Sequence, residues 1–349
     1  MKNSDNYYKQ REINCLNKID EITKDLPPYV YEFTIGRSDY TSPLTRLNYC
    51  LDIRIFFDYL TKTKFRGKNY KDITLLDLEN LTLSDFEIFL AYLSHYTING
   101  KEETNNERGK ARKLAAVRAF FKYLYFKGYI KSNVSSKVSL PKLHDKEIVK
   151  LDVNEMTDLV NLVENGENLT SRQRAYHKNT KIRDVAIIMM FLGTGIRNSE
   201  LVGLNVEDIN FKDLSFVVTR KGGNRTILYI SEEVATALQN WISYRNEIKD
   251  LNPNEKALFL SLQNTRISTR TLQQLVKKYA KVVTPLKKIT PHKLRSTFGT
   301  NLYNETGDIY LVADFLGHSD VNTTKKHYAA MSEELRRKAI KSVKIRDDE

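Results

Sequence analysis

Cysteine is nearly absent: Cys15 and Cys50 are the only two in 349 residues. Two thiols are too few for a disulfide framework or a cysteine metal site. Both are expected to act as small buried hydrophobes in a reducing compartment. Long apolar runs are missing as well. The best of them, VAIIMMFLGTGI from Val185, is broken by glycines and falls short of the roughly 18 residues that a bilayer span needs. The opening MKNSDNYYKQREIN has no apolar signal-peptide core. These absences predict a soluble, cytoplasmic protein with no membrane partner. Internal repeats and low-complexity tracts are also lacking. No carboxylate cluster suggests Mg²⁺, so no cofactor or metal is expected, and negative charge on a substrate must be met by side chains.

Acidic residues are the minority charge. Lys and Arg number 56 against 43 Asp and Glu, a formal net charge of +13. Such an excess favours a polyanionic partner, because each neutralised phosphate releases counterions. The length allows two domains.

Along the chain, residues 1–40 read as an N-terminal extension, arm-like or simply helical, that ends near Pro27-Pro28. Ser42 followed by Pro43 marks a helix start, with Leu47, Leu51, Ile55 and Tyr59 at helical spacing. A second helix is expected in LTLSDFEIFLAYLSHY, and INGKEETNNERGK reads as a loop. The next helix, ARKLAAVRAFFKYLYFKG, carries a stripe of Leu114, Val117, Phe121 and Leu124. Arg112, Lys113, Arg118 and Lys122 are available to a basic side that is either solvated or set against phosphates. Residues 41–136 are therefore expected to be an all-helical domain, 137–150 a linker, and 151–349 a second domain. In the latter a helix over about 152–164 precedes a polar loop at 165–181. The period then changes: Leu214–Thr219 and Thr226–Ile230 flank a Lys221–Asn224 turn, which predicts a β-hairpin. A helix capped by Ser231 follows and includes Trp241 as core. The fold class expected is mainly α: a helical N-terminal domain, then a mixed, mostly helical domain with a small antiparallel sheet.

Four polar clusters in the second domain carry chemistry. In GTGIRNSELVGL, Arg197 and Glu200 share a helix face if a helix starts there, so the carboxylate can orient the guanidinium. An ordinary surface ion pair would look the same. The hairpin tip RKGGNR offers Arg220, Lys221 and Arg225, solvated or delivered to a phosphate. In ITPHKLRSTFGTNL, Thr290 and Pro291 open a helix whose first turns hold His292, Lys293 and Arg295 at a positive end. In LGHSDVNTTKKHYAAM, His318 follows a glycine turn and Tyr328 lies among Lys325, Lys326 and His327. Together the parts suit one reaction. Two arginines can neutralise the non-bridging oxygens of a phosphodiester. Two histidines can hydrogen-bond or move protons near neutral pH, and a lysine can protonate a departing alkoxide. A tyrosine hydroxyl can attack, given cationic neighbours that ease its ionisation. His95, His144 and His177 have no motif around them and read as surface or packing residues.

Over residues 41–345 these motifs, in this order, resemble the tyrosine recombinases of the phage-integrase and Xer type. The resemblance implies a SAM-like helical core-binding domain and a catalytic domain that together clamp duplex DNA. It assigns Arg197, Lys221, His292, Arg295 and His318 to catalysis, Tyr328 as nucleophile and Glu200 as an accessory residue. Arg112, Lys113, Arg118, Lys122, Arg220, Arg225 and Lys293 are candidate DNA contacts. It further implies metal-independent cleavage through a 3′-phosphotyrosine and strand exchange through a Holliday junction. The expected setting is a homo-tetramer at inverted-repeat sites, with accessory DNA-bending or directionality factors an option. The role would be integration or excision of a mobile element, or Xer-type resolution. The last helix, SEELRRKAIKSV, would dock on a neighbouring subunit or pack at home. His318 and Tyr328 stand ten residues apart, one more than the family's usual spacing. A type IB topoisomerase shares the chemistry, and a non-catalytic architectural DNA-binding protein is the alternative of a different class.

Overall fold

In the computed structural model, which describes residues 4–142, 149–220, 223–317 and 321, the chain divides into two units, Asp5–Lys146 and Glu147–Glu349. The division falls inside the polar stretch expected to be a linker.

The first unit contains α1 (Ser4–Thr23), α2 (Pro28–Ile35), α3 (Pro43–Lys62), α4 (Leu75–Glu79), α5 (Leu83–Tyr92), a hairpin β1 (His95–Ile98) and β2 (Lys101–Thr104), and α6 (Glu107–Phe126). Its core is built from rings: Phe33, Phe56, Phe57, Phe86, Phe89 and Phe120 are all fully buried. Each such ring contributes about 1.5–3 kcal/mol by leaving water, and edge-to-face pairs add to that. Phe56 meets Phe89 edge-on at 5.0 Å between centroids, and Phe33 meets Phe120 at 5.4 Å. Two sequence expectations change here. Tyr29, Val30 and Phe33 of α2 belong to this core, so part of residues 1–40 is structural rather than appended. On α3 the expected stripe holds only in part: Leu47 and Tyr59 are buried together with Ile53, Phe56, Phe57 and Leu60, while Leu51 is 42% exposed. The helix turns its larger apolar area inward, and the aromatic side outweighs Leu51. The expected loop at 98–110 takes in the turn and second strand of the β1–β2 hairpin and the first turn of α6, which starts at Glu107. The hairpin turn is Asn99-Gly100, both at positive φ, as the favoured two-residue hairpin requires. Cys15 and Cys50 are free and buried with Ile19 and Leu47, as small hydrophobes.

The second unit contains α7 (Val153–Asn165), α8 (Ser171–Thr194), α9 (Asn198–Gly203), β3 (Ile209–Asn210), β4 (Ser215–Thr219), β5 (Arg225–Tyr229), α10 (Glu232–Asn246), α11 (Thr269–Val283), α12 (Pro291–Thr306) and α13 (Ile309–Leu316). The polar stretch expected as a loop is the first half of α8. Thr170 caps it through Gln173 N, and Gln173 returns a bond to Thr170 N. That half lacks apolar periodicity because most of it is exposed. Beyond it Ala186–Phe191 run through the core, against α7, α10 and α12. The three strands pair antiparallel in the order β3-β4-β5, with Val217 opposite Ile227. Ser231 caps α10, and Trp241 is buried with its indole N–H on Leu258 O at 2.8 Å. His177 is buried rather than exposed, with Nδ1 3.0 Å from the Tyr279 hydroxyl. Among the described residues no helix is long and apolar enough to cross a membrane.

Candidate active site

Gly195 ends α8 in the left-handed region, at φ +61. A Cβ there would lie 2.4 Å from the Phe298 ring, so glycine both permits the turn and lets α12 close on it. The turn delivers Arg197 to the start of α9 and places Glu200 three residues on. Glu200 is 5% exposed and holds Arg197 twice: Oε2 accepts from the backbone N at 3.0 Å and Oε1 from Nη1 at 2.7 Å. The expected orienting pair is therefore present, and its burial distinguishes it from an ordinary surface ion pair.

Pro291 opens α12, whose Leu294 is buried. Phe298 and Leu302 pack against Val312 and Leu316 of α13. That packing brings the end of α13 over the α8–α9 turn. Arg295, 5% exposed, bridges the two: Nη1 donates to Gly195 O at 2.6 Å and Nη2 donates to Leu316 O. Arg197 Nη2 donates to Gly317 O at 2.8 Å. Arg220, at the tip of the β4–β5 hairpin, donates from Nη2 to Phe315 O at 3.0 Å. Three guanidiniums from three separate elements thus meet three consecutive carbonyls at the negative end of one helix. Burial presses the Arg220 pKa below the usual arginine range; Glu200 opposes the shift and Arg197 adds to it. The grouping of planar cations around one helix end, with Glu200 fixing one of them, suits a tetrahedral anion with several oxygens.

His292 lies exposed at the start of α12, two residues before the buried Leu294. Lys293 is half-buried in the same turn, and its carbonyl accepts from Thr297 at 3.0 Å. Arg225 stands on β5 with its guanidinium 3.7 Å from Asp208. Lys221, His318 and Tyr328 lie outside the described residues, as do His144 and the closing SEELRRKAIKSV segment.

The model of the phage integrase family matches residues 150–334, and that of the phage integrase N-terminal SAM-like domain matches residues 37–128. The chain belongs to the phage integrase family. A protein named tyrosine recombinase XerC from Caldanaerobacter subterraneus subsp. tengcongensis is 34% identical, over 89% of this chain and 85% of its own. Tyrosine recombinase XerS from Streptococcus agalactiae is 30% identical, over 93% of this chain and 98% of its own. Among solved structures, the XerH site-specific recombinase bound to palindromic difH substrate shares the fold, with a TM-score of 0.66 and 17% identity over 94% of this chain and 87% of that one. The Tn1549 transposon integrase in complex with transposon right end DNA gives 0.64 and 21% identity over 90% and 97%.

Within this integrase-family chain, α6 does not present its four bases alike. Lys113 is 6% exposed and donates to Asn105 Oδ1 at 2.6 Å; burial lowers its pKa. Arg118 donates to Ser135 O at 3.0 Å and to Val138 O, tying the segment after α6 back to the helix. Arg112 is ion-paired with the buried Asp52. Lys122 is exposed, its ammonium 5.5 Å above the Phe126 ring. The sequence reading missed the second job of Arg220, and also a buried network on α8. There Asp184, 1% exposed, accepts from Thr180 (2.9 Å), Tyr279 (2.8 Å), Lys278 (3.3 Å) and both Arg183 Nε (3.1 Å) and Nη2 (2.8 Å). Two adjacent opposite charges, Arg183 and Asp184, in an otherwise apolar run at Ile182–Phe191 were the available signal.

Proposed function

We propose that this protein is a site-specific DNA recombinase that cleaves and rejoins duplex DNA through Tyr328. The observation that carries the reading is the convergence of Arg197 and Arg295, with Glu200 fixing the first, at the helix end that leads into the closing motif. In the reaction the Tyr328 oxygen forms a bond to the scissile phosphorus, and the bond to the 5′ oxygen breaks. Arg197 and Arg295 neutralise the non-bridging oxygens as charge crowds on phosphorus. Lys221 supplies the proton to the departing 5′ oxygen, while His292 and His318 donate hydrogen bonds or relay the tyrosine proton. A 5′ hydroxyl from a partner strand reverses the step, so bond energy is conserved. Duplex DNA with inverted-repeat sites is the substrate, and exchange takes place in a homo-tetramer through a Holliday junction.

Of the two biological roles, the Xer type has the better support. Tyrosine recombinase XerS matches over 93% of this chain and 98% of its own, so the chain has the length of an Xer-type relative.

The test is covalent capture. A nicked duplex carrying the inverted repeat, selected by the protein from random-sequence duplexes, is incubated without Mg²⁺ and quenched in SDS. The wild type is expected to give a protein–DNA band that Tyr328→Phe abolishes. A band that persists in the variant moves the nucleophile elsewhere. No band, with tight and salt-sensitive binding by both proteins, supports the architectural reading instead.

A further inference from the structure

Arg220 precedes Lys221, the proposed acid, and was expected to contact DNA. Its guanidinium is committed elsewhere. Nη2 donates to Phe315 O at 3.0 Å and lies 3.5 Å from Asp314 O, and Nη1 lies 3.4 Å from Asp314 O. The approach is close enough that a side chain on the helix end would displace the guanidinium: a Cβ on Gly317 would come within 2.0 Å of Arg220 Nη1. At its root the residue is fixed by the hairpin, its N–H on Asn224 O at 2.8 Å and its carbonyl accepting from Gly223 at 3.0 Å. The neighbouring carbonyls, Leu316 and Gly317, are those held by Arg295 and Arg197.

We infer that Arg220 is a positioning residue: it clamps the last turn of α13 so that the carbonyls of Leu316 and Gly317 hold Arg295 and Arg197 in the geometry that receives the scissile phosphate. The sheet contributes a strut to the arginine pair, and the strut is attached through a helix end rather than through DNA. Cations at a helix C-terminus are stabilised by its unpaired carbonyls, which gives the clamp its direction. This inference rests on the recombinase reading above.

The test uses the full chain and the selected nicked duplex at saturating concentration, with single-turnover covalent cleavage as the readout. The scissile group is either phosphate or a methylphosphonate, which lacks one non-bridging oxygen and the negative charge. Arg220→Ala is expected to slow cleavage of the phosphate by the order of 10²-fold, as small misplacements of catalytic groups do. DNA affinity should stay within about twofold, as expected when no phosphate contact is lost. The deficit should shrink on the methylphosphonate, where the arginines have less charge to neutralise. Gly317→Ala, which forces the same contact apart from the helix side, should reproduce the pattern, and the double variant should be less impaired than the product of the two. An unchanged cleavage rate with weakened binding would make Arg220 a DNA contact and overturn the inference. So would an equal deficit on both substrates. Arg197→Ala is the control for the underlying reading: if its own deficit does not shrink on the methylphosphonate, the assignment of the arginines fails first. Should Arg220→Ala unfold, Arg220→Lys keeps a cation without the planar fork and is judged by the same ratio.

Discussion

Glu200 gives the sharpest separation between holding the fold and serving the reaction. Its carboxylate is 5% exposed and accepts two bonds from Arg197, at 2.7 and 3.0 Å. Glu200→Gln preserves the shape but replaces one acceptor oxygen with a donor, so one of the two contacts becomes donor against donor. A bond to a charged group is worth about 1.5–3 kcal/mol, and the loss falls on a residue whose guanidinium faces phosphate in the proposed reaction. If the pair exists to aim Arg197, that energy appears in the barrier, and the rate falls by roughly 10- to 150-fold at about 1.4 kcal/mol per decade. Single-turnover covalent cleavage at saturating DNA measures the rate, and urea unfolding of the same protein measures the fold. The expected result is a slowed reaction with an unfolding loss under about 1 kcal/mol, because Arg197 is part-exposed and water can replace the lost partner. A variant that cleaves within twofold of wild type while losing the full 1.5–3 kcal/mol of stability would refute the reasoning and return the pair to an ordinary structural bridge.

Three further outcomes follow from the same contacts. Asp184→Asn strips the buried Arg183 and the part-buried Lys278 of their carboxylate, which should cost about 3–5 kcal/mol. At roughly 2–4 °C per kcal/mol for a unit of this size, calorimetry should show a drop of about 6–20 °C in its transition. A drop under about 3 °C would mean the network is not charged as drawn. Burial holds the His177 pKa below the ordinary 6.5, with Lys278 and Lys181 adding to the shift and Asp184 opposing it. The unfolded chain therefore takes up its proton first as pH falls. The stabilisation is complete above about pH 6.5 and is lost below it, by at most about 1.4 kcal/mol per pH unit. Urea midpoints from pH 7.5 to 5.5 should show that slope, and His177→Gln should flatten it. On α6, Lys122→Ala should weaken DNA binding uniformly and lower the salt slope by about one, while Lys113→Met, whose parent ammonium is interior, should leave the slope unchanged. An equal effect of both would contradict their different placement.

How far the fold could be read in advance depended on whether a segment's own chemistry decided its structure. Ser42-Pro43 and Ser231 start helices through their capping hydroxyls, and Pro291 starts one through its fixed φ with no cap from the Thr290 side chain. The β4–β5 hairpin was legible from its turn glycines and β-branched flanks. The β1–β2 hairpin was not read, although Asn99-Gly100 is the strongest short-range hairpin signal, because Tyr96 and Ile98 give β1 only one alternation and β2 is exposed throughout. The first half of α8 was missed for the same reason, with a Thr170–Gln173 capping box standing in plain view. On α3 the periodicity was visible, and Leu47 and Tyr59 are buried as expected, but Leu51 faces out, because Phe56 turns inward onto Phe86, Phe89 and Phe121, partners that the local sequence does not show.

The site divides along a different line. Residue type and order announced phosphoryl chemistry, because few reactions need arginine, histidine, lysine and tyrosine with no acid cluster. Spacing within one helical turn was also enough to pair Arg197 with Glu200. What the chain order could not express is which groups support one another across the fold. Arg220, Arg295 and Arg197 come from a hairpin, a helix and a turn, and nothing in their local motifs says that all three close on Phe315, Leu316 and Gly317. Read singly, each is a base available to DNA. Placed around one helix end, their demands compete, because a guanidinium that anchors backbone has fewer donors left for phosphate. Arg197 meets this by sharing its fork between Glu200 and Gly317 while staying part-exposed. Arg220 and Arg295 have further-reaching commitments to carbonyls. A base count on such a surface therefore overstates its grip on DNA, and the salt slope should report fewer phosphates than the +13 formal charge suggests.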